Sequence, residues 1–158
     1  MEQSIDIPRL LYSVMEENVI TPAVARTKIM QIEEVIRCLP CQMELQPTHY
    51  FSKGIYAREL FIPAGVILTG KIHKTEHINI ISQGDISVLT EEGIQRIRAP
   101  FTMVVKPGIK RVGFTHEDTV WTTIHATEET DLDKLEAELI APTFDDFFNI
   151  LDAEQIGG

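Results

Sequence analysis

Cysteine is scarce in this chain: Cys38 and Cys41 are its only two. That is too few for the disulfide framework of a small secreted domain, and it agrees with a reducing compartment. Long apolar runs are missing as well. None approaches the roughly 18 residues that a bilayer span needs, and the first residues lack the basic, apolar, small-residue order of a secretion signal. The expectation is a cytoplasmic protein without a membrane partner. Basic charge is in deficit, with 14 Lys and Arg against 24 Asp and Glu for a net charge of −10. Duplex nucleic acid is therefore a poor partner, because affinity for it comes largely from clustered cations on phosphates. No Walker loop, dinucleotide-binding glycine fingerprint or Gly-x-Ser-x-Gly elbow is present.

What is present fits one domain with appendages: 158 residues, 44% of them hydrophobic, fill a single core rather than two. The charge is uneven. Residues 50–125 carry nine Lys and Arg against seven Asp and Glu, a balance of +2 that leaves −12 on the flanks. A small anion entering a locally basic pocket fits that distribution.

The first fifty residues read as helical. Pro8 marks a first helix running to Asn18. Thr21-Pro22 opens a second, with Thr as N-cap and Pro at the first helical position, where its missing N–H costs nothing. Within it Ala25, Ile29, Ile32, Ile36 and Leu39 form one apolar stripe that ends near Pro40. Two destinations are open for that stripe: the barrel of its own chain, or the same helix of a second copy in a homo-oligomer.

From Phe51 onward, short alternating runs replace the helical period. They are 55–62, 66–72, 77–82, 85–90, 94–98, 101–105, 110–114 and 119–125, with Gly or Pro at most of the turns between. Eight such runs predict an antiparallel barrel of jelly-roll type, a mostly β fold. Beyond it, Asp131 to Ile140 reads as an acidic helix, and Thr143 with Asp146 as a capping box opening a short Phe-rich helix. The expected organisation is a helical extension at 1–48, the barrel at 49–126 and an acidic helical tail at 127–158.

The stretch from Gly70 to Gly84, followed by Pro107-Gly108-Ile109-Lys110-Arg111, resembles the two-part metal signature of the cupin superfamily. That pattern is Gly, five residues, His-x-His, three or four residues, Glu, six residues, Gly, then Pro-x-Gly-x-x-His. Anchored on Gly84, it puts His77 in the place of the glutamate, His73 at the second histidine and Lys71 at the first. Anchored on Gly108, it puts Arg111 at the last histidine. Two imidazoles and two cations thus stand for three imidazoles and a carboxylate. Each pair of unit charges a few ångström apart costs roughly 4 kcal/mol at an effective dielectric near 20, and a dication doubles that. Arg111 cannot escape by losing its proton. No metal is expected at a full four-ligand site. The open alternative is zinc or iron on His73 and His77 with a third ligand, His125 or Glu76.

The same residues suit a phosphate or carboxylate. Arg111 offers a planar fork, Lys71 a point charge, and His73, His77 and His125 hydrogen-bonding nitrogens. Period-two alternation puts Tyr56 with Arg58, and Trp121 with Thr123 and His125, on shared strand faces. An aromatic wall for a nucleobase follows from Tyr56 or Trp121. Cys38-Leu39-Pro40-Cys41 has redox spacing, but no strand-helix-strand pattern surrounds it.

The run His49-Tyr50-Phe51, Gly54 to Glu59, Pro63-Ala64-Gly65, Gly70 to His73, Pro107-Gly108, Trp121 and His125 is also similar to small cupin-like proteins encoded by bacteriophages, over roughly residues 49–140. Some of these sequester nucleotide signals of bacterial antiviral defence. The resemblance implies a homo-oligomer that holds a nucleotide-derived anion in the host cytoplasm without turnover. The alternatives are a metal-dependent cupin enzyme of isomerase or oxygenase type, and a structural or adaptor protein.

Overall fold

The computed structural model describes Arg9 and residues 21–157; the helix expected at 8–18 lies outside them apart from Arg9. The expected second helix is α1, Pro22–Arg37, capped by the Thr21 side chain, which accepts from the Val24 N–H. Its stripe packs on its own barrel. Ile29 and Ile32 are buried with Leu89 and Val112, and Ile36 lies against the same cluster. That settles the destination left open above, because the face proposed for pairing with a second copy is covered from within. Leu39 falls past the helix end.

Eleven strands follow among the described residues: β1 Thr48–Ser52, β2 Ile55–Ile62, β3 Ile67–Thr69, β4 Ile72–His73, β5 His77–Gln83, β6 Asp85–Thr90, β7 Gly93–Arg98, β8 Phe101–Val105, β9 Val112–Thr115, β10 Thr119–Ala126 and β11 Ile140–Ala141. They form a five-stranded sheet β1-β2-β10-β5-β8, a four-stranded sheet β3-β9-β6-β7 and a β11-β4 pair, antiparallel throughout. The chain is thus mostly β, a jelly-roll barrel with a helix before it and two after it. Those two are α2, Leu132–Leu139, and α3, Phe144–Ile156. No helix among the described residues is long and apolar enough to cross a membrane.

Two local departures matter for the site. The run expected at 66–72 is broken at Gly70-Lys71, because β3 pairs with β9 while β4 pairs with β11. Lys71 therefore sits in the break, not on a strand face beside His73. The helical reading also ran too far, since 48–50 belong to an edge strand whose register on β2 sets His49 opposite Arg58.

Both motif glycines have a steric reason. Gly84 has φ +101°, and a Cβ there would meet the Thr119 Oγ1 at 2.4 Å; Gly108 has φ +83°, and a Cβ there would meet the Phe147 ring at 2.4 Å. Only glycine takes both the left-handed backbone and the close approach. Phe147 belongs to α3, whose capping box between Thr143 and Asp146 forms as expected. The last helix is thereby seated on the turn that leads to Arg111.

Helix α2, expected as part of a tail, closes the barrel. Leu135 and Leu139 are buried with Tyr56, the Lys74 N–H donates to the Leu139 carbonyl, and the Asp131 side chain caps the helix by accepting from Asp133 and Lys134 N–H. An apolar floor of Ile81, Ile86, Val88 and Ile97 fills the opposite end.

Candidate functional site

The barrel encloses a cavity of about 530 Å³, within the range of small-molecule sites. All eight residues singled out from the sequence line it: Tyr56, Arg58, Lys71, His73, His77, Arg111, Trp121 and His125. They come together because successive inward positions of β2, β5 and β10 are in register, with Tyr56 opposite His125, Arg58 opposite Thr123, and Thr123 opposite Asn79.

His73, His77 and His125 form a compact group. Their ring centroids are 4.3 to 5.0 Å apart, and one ligand atom from each lies within 4.8 Å of the others. The His77 Nδ1–H donates to the Thr75 carbonyl at 3.0 Å, which leaves its Nε2 as an acceptor. That Nε2, the Nδ1 atoms of His73 and His125, and the Asn79 Oδ1 are buried without a hydrogen-bond partner. Four orphaned polar atoms in one place are costly, on the order of 1–3 kcal/mol each.

Burial keeps these imidazoles neutral. It pushes His73 down to about 2, helped by the neighbouring His77, His125, Arg111 and Arg58. Burial and then His77 push His125 down to about 4, and burial lowers His77, with Arg111 adding to it. Three neutral imidazoles, one with its tautomer fixed by a carbonyl, fit a divalent metal through the chemistry of the donors. The third ligand would be His125, on the last barrel strand and outside both signature motifs.

The cations divide into two kinds. Lys71 is 60% exposed and paired with Glu136, so it is not the free charge at the imidazoles that the motif alignment implied. This removes one of the two repulsions expected to exclude a metal. Arg111, by contrast, is desolvated; burial lowers it to about 10, with Glu92 opposing. Its guanidinium stays charged at neutral pH with no hydrogen-bond partner among the described residues. Arg58, from the opposite sheet, is half-buried and lines the same cavity. Next to Arg111, Lys110 pairs with Glu33 of α1 at 2.6 Å, both largely buried; this ion pair fixes the chain just before the cavity.

Tyr56 differs from its expected role. It is 5% exposed, its hydroxyl lies 2.7 Å from the His49 Nδ1, and its ring is flanked by His49, Phe51 and His125. Burial raises its pKa first, with Arg58 opposing. As a packed wall it has little ring surface free for a base, which leaves Trp121 as the aromatic side of the cavity. Alternation puts Asn79 on one strand face with His77, as the structure has it, but the sequence reading did not name it as a ligand contact. Leu135, Leu139 and Glu136 were also missed, and no local pattern marks them, because they arrive through α2. Cys38 and Cys41 are free and exposed at the end of α1, away from the cavity lining.

No family model matches the chain, and no curated protein matches it. Solved structures do. Protein NMB1881 from Neisseria meningitidis is 14% identical, with 63% of this chain and 96% of that one covered at a TM-score of 0.46. The cupin domain of Cnp3 from Schizosaccharomyces pombe is 19% identical, covering 65% and 76% at 0.46. An uncharacterized protein with a double-stranded beta-helix domain from Klebsiella pneumoniae is 11% identical, covering 59% and 85% at 0.48. These likenesses concern fold alone.

Proposed function

We propose that the barrel is a cupin-type receptor for a small anionic ligand, held by Arg58 and Arg111 and hydrogen-bonded by the imidazoles and Asn79. The observation that carries this reading is that the desolvated Arg111 guanidinium, the half-buried Arg58 and orphaned imidazole nitrogens line the same cavity. A ligand with one phosphate or carboxylate supplies negative charge for the forks and acceptor oxygens for Nδ1–H groups of His73 and His125, and a hydroxyl or amino group on the same ligand supplies the donor that His77 Nε2 and Asn79 Oδ1 lack. Trp121 and the apolar floor receive the uncharged part.

Within this reading the ligand is held rather than converted. Among the described lining residues the one carboxylate, Glu136, is engaged by Lys71, and the hydroxyl that meets an imidazole, Tyr56 on His49, is a packed phenol whose pKa burial raises. The resemblance to phage cupin-like proteins puts the ligand among nucleotide-derived signals, sequestered in the host cytoplasm. A panel of nucleotides and inorganic phosphate, scored by the shift in thermal midpoint, tests this. A binder at about 100 times its dissociation constant adds roughly 2.7 kcal/mol. Absence of any shift, or a shift unchanged in the Arg58→Leu/Arg111→Leu double variant, rejects the reading.

A second reading rests on the three neutral imidazoles. His73, His77 and His125 would hold zinc or iron, which when bound supplies Lewis-acid or redox chemistry for an isomerase- or oxygenase-type reaction. Arg58 and Arg111 then orient an acidic substrate. Metal content after dialysis separates the two: about one equivalent of tightly held ion, lost in His77→Ala with affinity falling more than about 100-fold, favours the enzyme.

A further inference from the structure

We propose that the outer face of the five-stranded sheet is a homodimer interface, occupied by the same face of a second copy. Inward and outward positions alternate along each strand, so the register that aims His125 and Asn79 at the cavity aims their neighbours at solvent. One row crosses all five strands: Tyr50 opposite Ala57, Ala57 opposite Ile124, Ile124 opposite Ile78, and Ile78 opposite Val104. Every member is apolar or aromatic. Val104 is 65% exposed and Tyr50 51% exposed, and Phe61 beside Val120 continues the patch at 51%.

Three observations select a second copy as the occupant. The first is charge: among outward positions of these strands Glu59 alone is ionised, and its carboxylate already accepts from the Thr122 hydroxyl at 3.4 Å. On a chain of net charge −10, a face nearly free of charge is where two copies approach with least repulsion, whereas a basic partner would find little here to pair with. The second is size. Five strands about 4.8 Å apart, each presenting about seven residues at about 3.3 Å, give on the order of 500 Å² per copy. Two copies together reach about 1,000 Å², the lower bound for a specific interface. The third is the competing surface, since the apolar face of α1 is consumed by Leu89 and Val112. Sheet-on-sheet packing about 10 Å apart then makes an isologous pair, each cavity facing away from the contact.

Sedimentation equilibrium of the full chain at tens of micromolar tests this, with Cys38→Ser and Cys41→Ser in the background to exclude disulfide-linked species. The expected result is a dimer that Val104→Asp with Ile78→Asp converts to monomer, weakening association more than about 100-fold while the thermal midpoint of the monomer stays within a few degrees. Both positions are exposed, so folding should survive, and circular dichroism verifies it. If Ile78→Asp alone perturbs folding, Val104→Asp with Tyr50→Asp serves in its place. A monomeric wild-type chain overturns the proposal, as does a dimer that these substitutions leave intact or one dissociated instead by charges placed on exposed residues of α1.

Discussion

Two arginine clusters in this barrel use the same chemistry to opposite ends. On the β6–β7 hairpin, Arg96 grips Asp85 through two bonds at 2.7 and 2.8 Å, Arg98 adds a third at 3.2 Å, and His116 is 2.7 Å from the Ser87 hydroxyl. The Arg96 bond chiefly holds the Asp85 carboxyl below the usual carboxylate range. In the cavity, Arg58 and Arg111 face His73, His77 and His125 with no carboxylate among them. The first cluster is complete by itself. The second leaves imidazole nitrogens without partners among the described residues, so unmet hydrogen-bonding capacity, not charge or histidine content, separates the two.

The contrast can be broken most strongly with acid. His73 and His125 are held near about 2 and about 4, below the ordinary imidazole value of about 6.5. Between these limits the unfolded chain binds protons that the folded chain refuses. Metal-free protein should therefore lose stability as pH falls below about 6.5, by up to about 1.4 kcal/mol per pH unit for each histidine, and show no such dependence above it. Asp85 acts on the other side of the range: its contribution persists until pH falls to carboxylate values. Urea unfolding between about pH 7.5 and pH 5 measures the slope, and His125→Gln should flatten it. A flat profile in the unaltered chain would mean that the imidazoles are hydrated.

Next in size is Arg111→Leu. Loss of a charge-assisted hydrogen-bonding partner, about 1.5–3 kcal/mol, should weaken anion binding roughly 10- to 100-fold. The ligand-free protein should keep or gain thermal stability, because a desolvated charge without a partner has been removed. Arg96→Leu should do the reverse, costing about 1–2 kcal/mol by leaving Asp85 with Arg98 alone. Melting curves of the two variants side by side decide the matter; equal losses would erase the distinction. The smallest effect belongs to Lys71→Met, since its bridge to Glu136 is more than half exposed at both ends and worth under about 1 kcal/mol. Anion affinity in that variant, measured by calorimetry, should change less than about threefold.

Much of this arrangement was legible in the chain because strand alternation is a local property. Tyr56 with Arg58, His77 with Asn79, and Thr123 with His125 could be assigned to one side of their strands by counting in twos, and Gly84 and Gly108 anchored the turns. The caps at Thr21, Asp131 and Thr143 are equally local. What escaped is set by partners distant in sequence. The break at Gly70-Lys71 follows from β4 pairing with β11, His73 with Ile140 and Ile72 with Ala141, and the neutralisation of Lys71 depends on Glu136, 65 residues away. The unpaired state of Arg111 is a property of its whole surroundings, and no spacing encodes it.

The pairing of β11 with β4 also gives the cavity a birth order. Its histidines and arginines all precede Leu135, Leu139 and Ile140 in the chain, so the walls of the chamber are synthesised before its ceiling. The chamber is therefore shut only when α2 and β11, among the last elements of the chain, dock on Tyr56 and β4.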